Sequence, residues 1–297
     1  MTSPLSASDA TPRTSPTRDG RRADGPRADE PRARFRDVVA AEWIKHRSLR
    51  STPLAYGVTA LAVVAFNAGT AHDLVSHWTE RDAAGRASFV REGMSLQQAF
   101  TGNAALVMMI ALGAIGALVI VGEYGTGTIR TTFAAVPARH SVMGAKVVVV
   151  TVVTTVFGGC VAGLSFALTQ AILDGRGLGV PLSHPGAARV VLASALLAPV
   201  CALTGMALGS VIRHTSATMI ASFVVLQVLP VVLSEGRYWS AVAGHALPYR
   251  AWLRLTTADH RAPVDFPWTT GGAWTVLAVW TFVPALVAVI CVRRRDQ

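Results

Sequence analysis

Six apolar stretches, at about 53–71, 100–121, 147–173, 190–212, 217–233 and 273–292, contain no Asp, Glu, Lys or Arg, and they constrain the fold more than any other feature. Each is roughly 20 residues long, the length a helix needs to cross the hydrocarbon core of a bilayer. A helix satisfies its own backbone N–H and C=O groups there without water, which an open strand or loop cannot do. With 52% hydrophobic and 15% charged residues, the charges collected between the stretches, the chain reads as an all-α membrane protein of six transmembrane helices. Residues 33–297 are expected to form one membrane domain.

The net charge of +10 would also suit a nucleic-acid binder, but the basic residues gather before residue 37 and beside the apolar stretches. Membrane topology accounts for that distribution, and no nucleic-acid partner is expected. Residues 1–32 are rich in Ser, Thr, Pro, Arg, Asp and Ala, with too little apolar surface to offset the entropy of ordering, so this tail is expected to be disordered. No apolar core follows its arginines, which argues against a cleaved signal peptide and keeps the N terminus in the cytoplasm. An even number of spans returns the C terminus to the same side, where Arg293, Arg294 and Arg295 follow the last stretch. Arg34, Arg36, Lys45, Arg47, Arg50, Arg130, Arg139, Lys146 and Arg213 fall inside on this topology. A sparser set, spread over longer loops, falls outside. The expected location is the plasma membrane.

A helix over 35–50 would place Phe35, Val38, Val39 and Trp43 on one side, leaving Arg36, Lys45, Arg47 and Arg50 to face water and phospholipid headgroups. That pattern predicts a helix lying in the membrane interface, with lipid as a partner. Glu42 and His46 fall in its apolar sector at i, i+4, which fits either a contact with another protein surface or, as the favoured reading, a simple local pair. The long outer segment 234–272 carries Tyr238, Trp239, Tyr249, Trp252, Phe266 and Trp268. With Pro248 interrupting an apolar run, short extracellular or re-entrant helices before the last span are one reading and an ordered loop the other.

The spans carry Asn67, Asn103, Thr151, Thr154, Thr155, Ser165, Gln170 and Gln227, all uncharged and suited to bonds between helices. Ion- and proton-coupled carriers keep ionisable groups at midplane, so a secondary transporter is disfavoured. Gly159 with Gly163, and Gly205 with Gly209, form two small-residue pairs at i, i+4 that permit close helix approach. Pro199, Pro230 and Pro284 are either hinges or tolerated kinks. Cys160, Cys201 and Cys291 lack metal or redox spacing and read as packing residues. No His-Glu-x-x-His, Gly-x-Ser-x-Gly or intramembrane aspartate pair is present. The chain is therefore not expected to be an enzyme, and no catalytic, cofactor-binding or metal-ligating residue is assigned.

The segment 122–146, GEYGTGTIRTTFAAVPARHSVMGAK, is the longest inside connection between spans. Glu123 closes a span and Gly127-Thr128 opens a short helix with Ile129, Thr132, Phe133 and Val136 on one face, ended by Pro137. Together with Arg139 and Lys146, this segment resembles the inner loop of type-2 ABC transporter permeases. Glu42-Trp43-Ile44-Lys45-His46-Arg47-Ser48 resembles the entry segment of the same family, and the likeness covers about 35–295. It implies a cytoplasmic coupling helix seated on an ABC ATPase subunit, a second permease copy or paralogue, and export. Ile129, Phe133 and Val136 would then pack in the ATPase groove, while Glu123 and Arg130 orient the loop. The other reading lets the loop lie on the membrane, with Glu123 capping a helix or pairing with Arg130. No Gly-x-x-x-x-Gly-Lys-Ser/Thr occurs, so ATP and Mg would be held by the partner ATPase and no cofactor by this chain. A non-transporting anchor or assembly subunit is the main alternative function, and a secondary transporter the third.

Overall fold

The computed structural model describes residues 34–128, 131–132, 139–233, 236–257 and 266–295, with side chains described as far as Cys291. The tail 1–32, part of the inner loop and the side chains of the terminal arginines lie outside the described residues.

Helix is the only regular structure among the described residues. In chain order the helices are α1 (Phe35–Ser48), α2 (Ser51–Ser76), α3 (Ala83–Arg91), α4 (Met94–Gln97), α5 (Gly102–Thr126), α6 (Arg139–Asp174) and α7 (Ala187–Ile212). Then follow α8 (Thr215–Val232), α9 (Tyr238–His245), α10 (Pro248–Thr256) and α11 (Thr270–Arg295). Six of them, α2, α5, α6, α7, α8 and α11, are long and apolar enough to cross a membrane. The spans alternate in direction. The α5–α6 connection, the α7–α8 turn and α1 therefore lie at one end of the bundle, and α3, α4, α9 and α10 at the other.

Helix α7 is the axis, with 83% of its apolar window buried against 17% for α11 and 22% for α2. Small residues make that position possible. A Cβ on Gly116 would lie 1.9 Å from the Ala202 carbonyl oxygen, and one on Gly205 would lie 2.0 Å from that of Gly113. α5 and α7 thus touch backbone to backbone. In the same way Gly158 of α6 meets the Ala195 carbonyl, where a Cβ would come within 2.1 Å. In lipid, where tails are as apolar as leucine, this close van der Waals approach is a main source of helix association.

The two glycine pairs expected to bring helices together part company here. Gly205 and Gly209 pack on α5, whereas a Cβ on Gly159 or Gly163 would meet nothing within 4 Å, because that ridge faces outward. Gly158, one position earlier, is the contact residue of α6.

α6 begins well before its apolar stretch, at Arg139, and α5 runs on to Thr126. The α5–α6 connection is accordingly 127–138, shorter than the expected 122–146, and Lys146 stands within a continuous helix. α8 contains a π turn at Val224–Val228, with the Leu229 N–H bonded to the Val224 carbonyl. Pro230 supplies no N–H to the preceding turn and its ring crowds the carbonyl four residues back, so the turn widens. Gln227, within that turn, donates through Nε2 to the Leu106 carbonyl of α5 at 3.0 Å.

Candidate functional site

Four charged side chains from three helices meet at the end of the bundle that carries α1. Lys146 Nζ of α6 lies 2.5 Å from Glu42 Oε2 of α1 and 2.8 Å from Glu123 Oε1 of α5. Lys45 of α1 also pairs with Glu123, and its Nζ stands 3.8 Å from Glu42 Oε1. Side-chain exposure is 4% for Lys146, 7% for Glu42, 11% for Glu123 and 31% for Lys45. Two carboxylates and two ammonium groups thus balance each other, three of the four side chains largely out of water and Lys45 half-buried at the edge.

Local structure explains how the set assembles. Glu42 and Lys45 are one turn apart on α1 and so share a face, and beside them Val38 packs on Val142 and Ala145 of α6. Glu123 occupies the last turn of α5, where the helix dipole presents its negative end and a carboxylate alone is disfavoured. The two lysines remove that penalty. Gly127 then ends α5 in the left-handed region at φ 72°, which a residue with a Cβ adopts only with strain. The Thr126 hydroxyl donates to the Gly122 carbonyl at 2.9 Å and lies 2.7 Å from that of Thr128, fixing the start of the connection.

Desolvating ions is costly, and a buried pair often adds no net stability over well-packed apolar residues. Removing one partner is a different matter, because it strands a charge. This arrangement therefore fixes geometry: the end of α5 and the start of α6, which bracket 127–138, are held to α1 and to each other.

His46 borders the cluster. Its ring centroid lies 5.9 Å from that of Tyr56, which in turn lies 5.0 Å from Phe157 of α6. Burial lowers its pKa below the usual histidine value, the nearby Lys146 charge lowers it further, and Glu42 opposes them. The favoured local Glu42–His46 pair is thus corrected: Glu42 acts on His46 through its charge, but its hydrogen bond comes from Lys146, a residue 104 positions away. Lys45, expected to face water and headgroups, instead turns inward to Glu123.

Of the other residues predicted for this site, Trp43 and Arg47 are exposed on the opposite face of α1 and Thr128 follows the α5 cap. Gly127 closes α5, and the described residues that follow, Thr128, Thr131 and Thr132, are helical, as expected of a helix opening at Gly127-Thr128. Arg139 begins α6. Ile129, Arg130, Phe133, Val136 and Pro137 lie outside the described residues, so the expected Glu123–Arg130 pair does too.

Sequence reading counted Arg213 only as a charge beside a span and gave Tyr124 no role. Arg213 caps α7 with φ 57°, the only non-glycine residue with positive φ among those described. Its guanidinium carbon lies 4.8 Å from the centroid of the Tyr124 ring, a cation–π contact that ties the α7–α8 turn to the residue beside Glu123. A lone charge in a two-residue turn between spans was the available signal.

The opposite end is held by uncharged side chains together with two arginines. Asn67, fully buried in α2, donates to Ser165 Oγ of α6 at 3.2 Å and accepts from the Thr101 backbone N–H at 2.9 Å and the Thr101 hydroxyl at 3.0 Å. Gln170 joins the Ser95 carbonyl to the Val180 N–H. Arginines close helix ends there: Arg250 donates to the Leu233 carbonyl at 3.2 Å and Arg254 to that of Trp268 at 2.9 Å.

The chain matches no protein-family model and no curated protein.

Proposed function

We propose that this chain is the membrane-spanning permease subunit of an ATP-driven ABC exporter, forming the translocation path and coupling to a separate ATPase subunit. One observation carries the reading most: the buried Glu42–Lys146–Glu123–Lys45 cluster joins α1 to both helices that bracket the segment 127–138. A cytoplasmic motor moves membrane helices only through an element held rigidly to them, and a loop that merely enforced topology would need no desolvated ion cluster at its base. Arg213 extends the same rigid end to the α7–α8 turn.

In this reading 127–138 contains the coupling helix. Ile129, Phe133 and Val136 supply its apolar face, Arg130 clamps it and Pro137 ends it, ahead of Arg139 at the start of α6 and of Lys146, which anchors that helix to Glu42 and Glu123. α1 lies in the inner membrane interface, α9 and α10 are the short extracellular helices, and both termini are cytoplasmic at the plasma membrane. Two such permeases, copies or paralogues, rest on two ATPase domains. ATP binding closes the ATPases and biases the paired spans toward an outward-open state, and hydrolysis resets them. Apolar stretches that carry no charge favour amphipathic or hydrophobic cargo.

The test is a pull-down of the tagged protein in mild detergent, assayed for ATPase activity. ATPase is expected with wild type and is lost with Phe133→Asp while the membrane protein remains monodisperse. If wild type brings down no ATPase under conditions that keep membrane complexes together, the reading fails. If ATPase copurifies but ATP-dependent efflux is absent from proteoliposomes, the chain is an anchor.

A further inference from the structure

We infer that the outer face of α1 is a docking surface for anionic phospholipid headgroups, and that lipid bound there steadies the buried ion cluster on the other face. The inference rests on the membrane placement of α1 proposed above.

The charge on α1 is sorted by face. Glu42 and Lys45 are committed to the cluster, and His46 turns toward Tyr56. The exposed residues of 34–50 include Arg34, Arg36, Arg47 and Arg50, against a single exposed acid, Asp37, which lies 3.6 Å from Arg36. Positions 36, 43 and 47 share one side of the helix, so Trp43 and Ile44, 46% and 66% exposed, stand between arginines. A surface meant for water would not present them.

Height in the bilayer follows from the chain. Arg50 is the N-cap of α2, the first span, and Phe35 at the far end of α1 lies against Gly144, where a Cβ would meet its Cε2 at 3.7 Å, just before α6 becomes apolar. Both ends of α1 are therefore near one membrane surface, with Trp43 and Ile44 placed for the acyl boundary and the arginines for phosphate. Anionic headgroups are the complementary occupant. A guanidinium pairs with phosphate bidentately, and the attraction to an acidic leaflet is screened by salt. Since α1 is one rigid helix over these turns, lipid held by Arg36 and Arg47 also holds Glu42 and Lys45 against α6 and α5.

The experiment is native mass spectrometry of the full chain from detergent, titrated with phosphatidylglycerol or phosphatidylcholine. Wild type is expected to retain phosphatidylglycerol preferentially, with retention falling as ammonium acetate is raised from low to high concentration. Arg36→Gln, Arg47→Gln and Arg50→Gln should each weaken it about fivefold, the factor that corresponds to the usual attraction per basic residue at an acidic surface. The triple Lys variant should keep it, which separates charge from folding. Inorganic phosphate should not displace the lipid, since Trp43 and Ile44 need the acyl chain. Equal retention of the two lipids, retention by the triple Gln variant, or displacement by free phosphate overturns the proposal. None of these readouts needs an ATPase, so the inference and the coupling reading fail separately.

Discussion

Lys146 Nζ lies 2.5 Å from Glu42 Oε2 although the residues are 104 positions apart, and this contact seals α1 onto the start of α6. Because Lys146 also reaches Glu123, it neutralises one carboxylate from each neighbouring helix. Lys146→Ala should therefore take away the close partner of Glu42, leave both carboxylates to share Lys45, and cost about 3–5 kcal/mol. Adding Glu42→Gln and Glu123→Gln to Lys146→Met should recover most of that loss. Thermal unfolding in detergent compares the two, and an unchanged midpoint for Lys146→Ala would show that the cluster fixes nothing.

His46 makes the docking of α1 depend on pH. Burial and Lys146 depress its folded pKa below the ordinary value, so its contribution is fully present above about pH 6.5 and is lost as pH falls from there through the lower folded value. Glu42 faces it and limits the effect. Acidification from pH 7.5 to 5.5 should lower the unfolding midpoint of wild type more than that of His46→Phe. Parallel pH profiles for the two proteins would remove His46 as the cause.

The glycine contacts predict opposite outcomes for residues of one type. Gly116→Ala and Gly205→Ala drive a methyl into a facing backbone and should destabilise by about 1–3 kcal/mol, by overpacking. Gly159→Ala and Gly163→Ala meet open space and should be neutral or slightly stabilising. Melting curves of the four variants test the distinction, and a common response from all of them would contradict the packing.

Asn67 holds the other end of the bundle. Asn67→Leu leaves the Thr101 backbone N–H and the Ser165 hydroxyl to find other partners, and it should cost about 1–3 kcal/mol. Hydrogen exchange at the start of α5 reads the local opening directly. Protection there equal to wild type would assign the Asn67 bonds no structural weight.

How much was legible divides by the range of the interaction. The six spans could be read because crossing a bilayer is a property of each segment alone: a run of about 20 apolar residues must satisfy its own backbone, whatever surrounds it. Glu123, Lys146, Glu42 and Lys45 were each singled out from sequence, since charges beside spans are few. Their mutual contacts were not, and Glu42 was paired with its neighbour His46 because only local spacing is visible along a chain.

The sequence by itself thus determined the helical class, the six segments long and apolar enough to cross a membrane and the short set of charged residues beside the α5–α6 connection. Tertiary structure alone decided that α7 is the axis, that Gly205 and not Gly159 lies at a helix contact, and that Lys146 bridges α1 and α5. The physical reason is that transfer into lipid is summed residue by residue within a segment. Which face of a helix is buried, and which distant charge answers another, depends on where the other helices stand.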